Sequence, residues 1–211
     1  MIVDYDGNEA VFPLISEFAP KILYERLTMT LNSPIPQLKR PLALIGLMGA
    51  GKSKIGKALS AYFDVPFIDT DDVIEDVAGM SIATIFELYG EEKFREIEAR
   101  EIGKLVSSAP VILSTGGGAF IRDETRTIIN KDAMSVWLKA KPETLASRIS
   151  NTASRPLLKD KDPVEVLTAL SKEREPFYKQ AHVTIDTDGL SLNAAIDKVT
   201  ATMIETLTNS Q

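Results

Sequence analysis

Cysteine is absent from the 211-residue chain. Disulfides and thiolate metal sites are therefore excluded, and the composition suits a reducing cytosol. Long apolar runs are absent as well. No stretch approaches the roughly 18 residues a membrane-spanning helix requires, so no membrane partner is expected. Excess positive charge is also missing: 24 basic residues face 30 acidic ones, for a formal charge of −6. Such a chain projects no long-range field that would gather nucleic acid. The opening Met1-Ile-Val-Asp4-Tyr-Asp6 is acidic, the reverse of a secretory signal's basic start, and a cytoplasmic location is expected. There is no internal repeat and no low-complexity tract. An anionic ligand must be held by local arginines, lysines and backbone N–H groups.

Hydrophobic residues make up 44% of the chain, enough for the core of one α/β domain with an appendage. Residues 1–40 form the appendage. Prolines at 13, 20, 34 and 36 interrupt it. Apolar residues at helical spacing after Pro20 predict one short amphipathic helix up to Leu31, and Pro34-Ile-Pro36 predicts an extended linker. Such a helix packs on its own domain or docks a partner. From Pro41 to the end, 41–211, the pattern is strand–loop–helix, repeated. Strands are predicted at Leu42–Ile45, Pro66–Ile68, Val111–Leu113, Ser135–Leu138 and Val183–Ile185. Helices are predicted at 52–63, 71–107 (interrupted near Gly79 and Gly90), 142–150, 164–179 and 191–207. Alternation of this kind predicts a parallel sheet covered on both faces. Trp137 reads as core and His182, the lone histidine, as structural.

Gly46-Leu-Met-Gly-Ala-Gly51-Lys52-Ser53 follows the first strand and opens a helix. It fits the phosphate-binding pattern G-x-x-x-x-G-K-[ST]. Glycines let backbone N–H groups close around phosphate oxygens, and the helix N-terminus adds its positive end. Lys52 reaches the outer phosphates, and the Ser53 hydroxyl is a Mg²⁺ ligand. The second strand runs into Asp69-Thr-Asp71-Asp72. Extended geometry aims Asp69 and Asp71 to one side; one carboxylate can serve a Mg²⁺ shell and the other a hydroxyl that loses its proton. Asp72-Val-Ile-Glu75 has capping-box spacing, so Asp72 is read as the helix cap. Gly116-Gly117-Gly118 follows the third strand and suggests backbone in close approach to a ligand, or a plain turn. Residues 151–163 lack periodicity and read as a lid carrying Arg155, whose charge could stabilise a transferring phosphoryl group. Arg95, Arg148 and Arg174 complete the arginine set.

Together, the phosphate loop, Phe67-Ile-Asp-Thr-Asp71 with Ile74-Glu75, Phe94-Arg-Glu-Ile-Glu98, Gly116-Gly-Gly118, Arg155-Pro-Leu-Leu158 and Arg174-Glu-Pro-Phe-Tyr178 resemble the shikimate kinase family, in its order, over about residues 41–208. The resemblance implies a P-loop NTPase fold of the nucleoside-monophosphate-kinase-like type, with five parallel strands in the order 2-3-1-4-5. It implies transfer of the γ-phosphate of MgATP, with one Mg²⁺, to the 3-hydroxyl of shikimate, toward chorismate and the aromatic amino acids. Gly49, Ala50, Gly51, Lys52, Ser53 and Lys54 would hold ATP, with Arg148 stacking on adenine and Arg155 as the lid arginine. Ser53 and Asp69 would face Mg²⁺, and Asp71 would bind the substrate hydroxyls and act as base. Arg95, Arg174 and the loop Gly116, Gly117 and Gly118 would hold shikimate, Glu98 would orient Arg95, and Ile82, Phe86, Phe94 and Leu157 would surround the ring. Two departures stand out: Lys54 replaces a second hydroxyl residue, and residues 1–40 exceed the family's length. The alternatives are another small-metabolite kinase, gluconate kinase-like, and a non-catalytic P-loop regulator. ATP and shikimate are the expected partners of a monomer.

Overall fold

Leu42–Ile45 is wholly buried, as its unbroken apolar sequence demands, and it forms the central strand of the sheet. This architecture comes from a computed structural model that describes residues 36–149, 156–158 and 161–209. Around β1 (Leu42–Ile45) lie β2 (Phe67–Asp69), β3 (Ile112–Ser114), β4 (Met134–Lys139) and β5 (Val183–Asp186). Every pairing is parallel, in the order β2-β3-β1-β4-β5. That is the predicted order. The edge strands β2 and β5 are less buried than the three central ones.

The helices are α1 (Lys52–Phe63), α2 (Thr70–Ala78), α3 (Ile82–Val106), α4 (Asp123–Asp132), α5 (Pro142–Ser147), α6 (Pro163–Tyr178) and α7 (Leu192–Asn209). Both predicted interruptions occur. Gly79 ends α2 in a left-handed conformation, and Gly90, at φ 78°, breaks α3 internally. Helix α4 was not predicted. Its buried face carries Thr125 and Arg126 beside Ile129, so it lacks the apolar stripe by which helices are recognised. The predicted N-terminal helix and most of the lid, Arg155 included, lie outside the described residues.

Two cores form among the described residues. The larger joins the sheet to its flanking helices and includes Leu38, ahead of β1, at 5% exposure. Trp137 belongs to it, with its ring 5.7 Å from that of Tyr178. The smaller consists of Ile74, Ile85 and Phe94, between α2 and α3. It gives the segment beside the C-terminal ends of the strands its own packed base. His182 is structural, as expected: its Nδ1 accepts from the Ser135 N–H at 3.1 Å and ties β5 to β4. No helix of the described residues is long and apolar enough to cross a membrane.

Candidate active site

The loop between β1 and α1 turns back over the sheet. Gly49 has φ 82°, and a Cβ there would stand 2.5 Å from the Leu145 carbonyl oxygen, so both backbone and space require glycine. Lys52 Nζ donates to the carbonyls of Gly46 (2.8 Å) and Leu47 (3.2 Å), curling over the loop it serves. Ala50 is buried beneath it, while Lys54 points to solvent from the first turn of α1.

Asp69 ends β2 and caps α2. Its Oδ1 accepts from the Asp71 N–H at 3.3 Å and its Oδ2 from the Ser53 hydroxyl at 2.8 Å. The capping role expected of Asp72 therefore belongs to Asp69. Any aspartate in this run could cap, and Asp69 is the one left extended (φ −90°, ψ 124°) at the strand's end. Asp71 consequently stands in the first turn of a helix and not on an extended strand. Asp72 instead lines a cavity of about 300 Å³ with Ser53, Lys57, Phe67, Ile68, Asp69 and Val73. Burial, reinforced by the neighbouring Asp69 charge and partly offset by Lys52, pushes the Asp71 carboxyl above the usual aspartate range. It is the more basic for it.

The glycine triplet is where four side chains meet. A Cβ at Gly116 would lie 2.8 Å from Glu98 Oε1 and 3.1 Å from Asp71 Oδ1. One at Gly117 would lie 3.4 Å from Arg174 Nη1, and one at Gly118 would collide with the Arg95 guanidinium. None of the three has positive φ, so at Gly116 and Gly118 space is what excludes a side chain. The N–H of Gly116 donates to Thr70 Oγ1 at 3.3 Å, whereas those of Gly117 and Gly118 make no hydrogen bond to a described residue.

Arg95 Nη1 donates to Glu98 Oε2 at 2.7 Å, with the Glu98 side chain only 1% exposed. Burial pushes the Glu98 carboxyl up, Arg95 pulls it back, and Asp71 adds to the rise. Burial also works against the Arg95 charge, but Glu98 and then Glu91 hold its pKa above the usual arginine value. Among the described residues, Glu98 Oε1 and Arg174 Nε are buried with no partner. Both flank the triplet. Arg174 Nη1 and the Tyr178 hydroxyl both donate to the Gly117 carbonyl, tying α6 to the loop. Tyr178, pushed up to about 12 chiefly by burial, stays a neutral donor.

The remaining candidates are more scattered. Arg148 is turned inward, its guanidinium donating to Thr187 O (2.7 Å) and Leu190 O (3.0 Å), so it braces the loop after β5. Phe86 is 38% exposed and stacks on the nearly buried Phe94 at 4.7 Å, with Ile82 packed against the same small core. Leu157 is 48% exposed on a short 3₁₀ turn (Pro156–Leu158). Hydroxyl and carboxylate oxygens at the phosphate loop, a basic carboxylate, two arginines and two free N–H groups thus share one edge of the sheet, where ligands of open α/β folds bind. Such a set can position an anionic acceptor beside a nucleotide.

Comparison with known proteins agrees with this geometry. The family model described as shikimate kinase matches residues 48–207. This chain belongs to the shikimate kinase family. A shikimate kinase of Bradyrhizobium diazoefficiens is 46% identical over 168 residues, covering 80% of this chain and 79% of its own. The shikimate kinase of Acinetobacter baumannii, solved in complex with shikimate, superposes with a TM-score of 0.74 at 31% identity, over 83% of this chain and 96% of its own. A gluconokinase of Sinorhizobium meliloti has a TM-score of 0.53 at 17% identity, a likeness of fold alone. As a member of the family this chain is an ATP-dependent kinase, and neither the gluconate kinase-like alternative nor the non-catalytic one stands.

Some supports of this family site escaped the sequence reading. Thr70, fully buried, donates to Ser114 O (3.2 Å) and accepts from the Gly116 N–H, stapling the ends of β2 and β3. Arg126 donates to the carbonyls of Phe120 and Ile121 and lies 5.3 Å over the Phe177 ring, bracing the stretch after the triplet against α6. A threonine between aspartates and an arginine in a polar helix gave no signal that could have singled them out.

Proposed function

We propose that this protein transfers the γ-phosphate of MgATP to the 3-hydroxyl of shikimate. The observation that carries this reading is the convergence of Asp71, Arg95, Glu98 and Arg174 on Gly116–Gly118, beside the phosphate loop. In it, the loop Gly49–Ser53, with Lys52 uncurled from its own carbonyls, cradles the nucleotide phosphates, and Lys54 stays at the rim. Arg148, anchored on the carbonyls of Thr187 and Leu190, stacks on adenine. Arg95 and Arg174 hold the acceptor's carboxylate, assisted by the N–H groups of Gly117 and Gly118, while Phe86 and Leu157 cover the ring. Asp71 accepts the hydroxyl proton as the oxygen attacks, and Arg155, from its place in the Arg155-Pro-Leu-Leu158 motif, stabilises the charge of the moving phosphoryl group.

Mg²⁺ fits the Ser53–Asp69 pair, whose hard oxygens lie 2.8 Å apart next to the phosphate loop. When bound there, the ion neutralises phosphate charge. Asp69→Asn is therefore expected to raise the Mg²⁺ concentration needed for half-maximal activity, with a smaller change in kcat at saturating Mg²⁺. Steady-state rates across a Mg²⁺ titration check this.

A coupled assay of ADP release with shikimate, gluconate and water as acceptors tests the function itself. Shikimate should accelerate release greatly and gluconate should not. Equal turnover with both acceptors would sink the assignment.

A further inference from the structure

Two carboxylates hold Arg95, and they are unlike. Glu98 is buried behind it, with Oε2 2.7 Å from Nη1. Glu91 stands on the solvent side with a side chain 67% exposed. Its single oxygen Oε1 accepts from both Nη2 (3.2 Å) and Nε (3.4 Å). The Nε/Nη2 edge of a guanidinium is one of the edges on which a carboxylate binds bidentately. Glu91 spends it on one oxygen and two long bonds.

The charges around this edge matter too. Arg95, Arg174 and Lys52 face Asp69, Asp71, Glu91 and Glu98 within the site described above. Glu98 cannot leave, being buried and tightly bonded. Glu91 can: its own side chain is exposed, and its i,i+4 bonds to Arg95 are long. Gly90 immediately before it breaks α3 at φ 78° and ψ 173°, with open space where its Cβ would be. Glu91 thus begins the second helical segment of α3, where a carboxylate released from Arg95 remains favoured by the helix N-terminus.

We propose that Glu91 is a built-in competitor for the acceptor's carboxylate, holding the Nε/Nη2 edge of Arg95 until the acceptor displaces it. The proposal rests on the reading of Arg95 as the acceptor's carboxylate partner. It explains why one arginine carries two glutamates: the buried one aims the guanidinium, and the exposed one sets how much affinity an acceptor must supply. An acceptor without a carboxylate cannot replace what Glu91 gives up.

The test compares wild type, Glu91→Gln and Glu87→Gln, the last removing another exposed carboxylate of α3 as a control for general charge. The KM for shikimate in Glu91→Gln should fall by about 2- to 5-fold, the span that exposed ion pairs cover, with little change in the KM for ATP. With the carboxamide analogue of shikimate as acceptor, Glu91→Gln should leave KM where it was. Glu87→Gln should move neither. A KM for shikimate that rises or stays the same would overturn the competitor role. So would an equal shift with the carboxamide, or a fall reproduced by Glu87→Gln. If wild-type protein phosphorylates shikimate and only KM fails to respond, the competitor role alone is lost; if it does not phosphorylate shikimate, the functional reading goes with it.

Discussion

Asp71→Asn is expected to lower kcat by about 10²-fold or more, the loss typical of removing a general base, while leaving the protein at least as stable as before. The side chain keeps its size and some hydrogen bonding but can no longer take the proton of the attacking hydroxyl. Phosphoryl transfer has a loose transition state, so part of the loss would come from charge and positioning and not from proton transfer alone. The stability half of the prediction follows from the environment. Asp71 is pushed up by burial and by Asp69. A carboxyl whose folded pKa exceeds its unfolded one contributes stability that is present below the unfolded pKa and lost as pH rises through the folded pKa. At neutral pH the wild-type side chain is therefore a cost, and asparagine removes it. Thermal unfolding should show a Tm for Asp71→Asn above wild type at neutral pH and a gap that closes in acid. Steady-state kinetics should show the kcat defect at saturating shikimate and Mg²⁺. A metal defect in Asp71→Asn, with the pure kcat defect in Asp69→Asn, would mean that the two aspartates have exchanged roles.

Arg95→Ala is expected to fail in two separable ways. Loss of a charged partner for the acceptor's carboxylate should raise the KM for shikimate by about 30-fold or more. It should also destabilise the fold by about 3 kcal/mol, because Glu98 is left as a buried carboxylate without its cation. The double variant Arg95→Ala/Glu98→Gln tells the two apart. Neutralising Glu98 should return much of the stability, read by urea unfolding, and none of the affinity. If the double variant is as unstable as the single one, the loss lies in packing, since the guanidinium also covers the Phe94 ring at 5.0 Å.

These residues also show what the sequence could and could not disclose. The phosphate loop was legible because each position answers a separate mechanical demand, and the strands because unbroken apolar runs such as Leu42–Ile45 have few other uses. The triplet Gly116–Gly118 was legible as a site, but only partly as a reason. The structure keeps Gly116 and Gly118 free of side chains because Glu98, Asp71 and Arg95 occupy the space, and non-local crowding leaves no trace in local pattern. Sequence alone points to Asp72 as the cap because Asp69, Asp71 and Asp72 are equivalent until the strand's end is known. Helix α4 went unread because Arg126, buried at 8% exposure, occupies the face where an apolar residue would have announced it. Glu91 resembled any solvated glutamate; only its distance from Arg95 distinguishes it.

The placement of β1 has a consequence for how the chain is made. Leu42–Ile45 ends fully enclosed, flanked by β3 and β4. Leu42 is aligned with Ile112 on one side and Met134 on the other. On a ribosome adding ~5–20 residues each second, the second neighbour is synthesised roughly 5–20 s after β1. Until β3 is made, both hydrogen-bonding edges of this wholly apolar strand are open, and one stays open until β4 follows. Nascent chains halted before residue 134 should therefore be readily captured by chaperones and prone to aggregate, and release from that state should coincide with the arrival of β4.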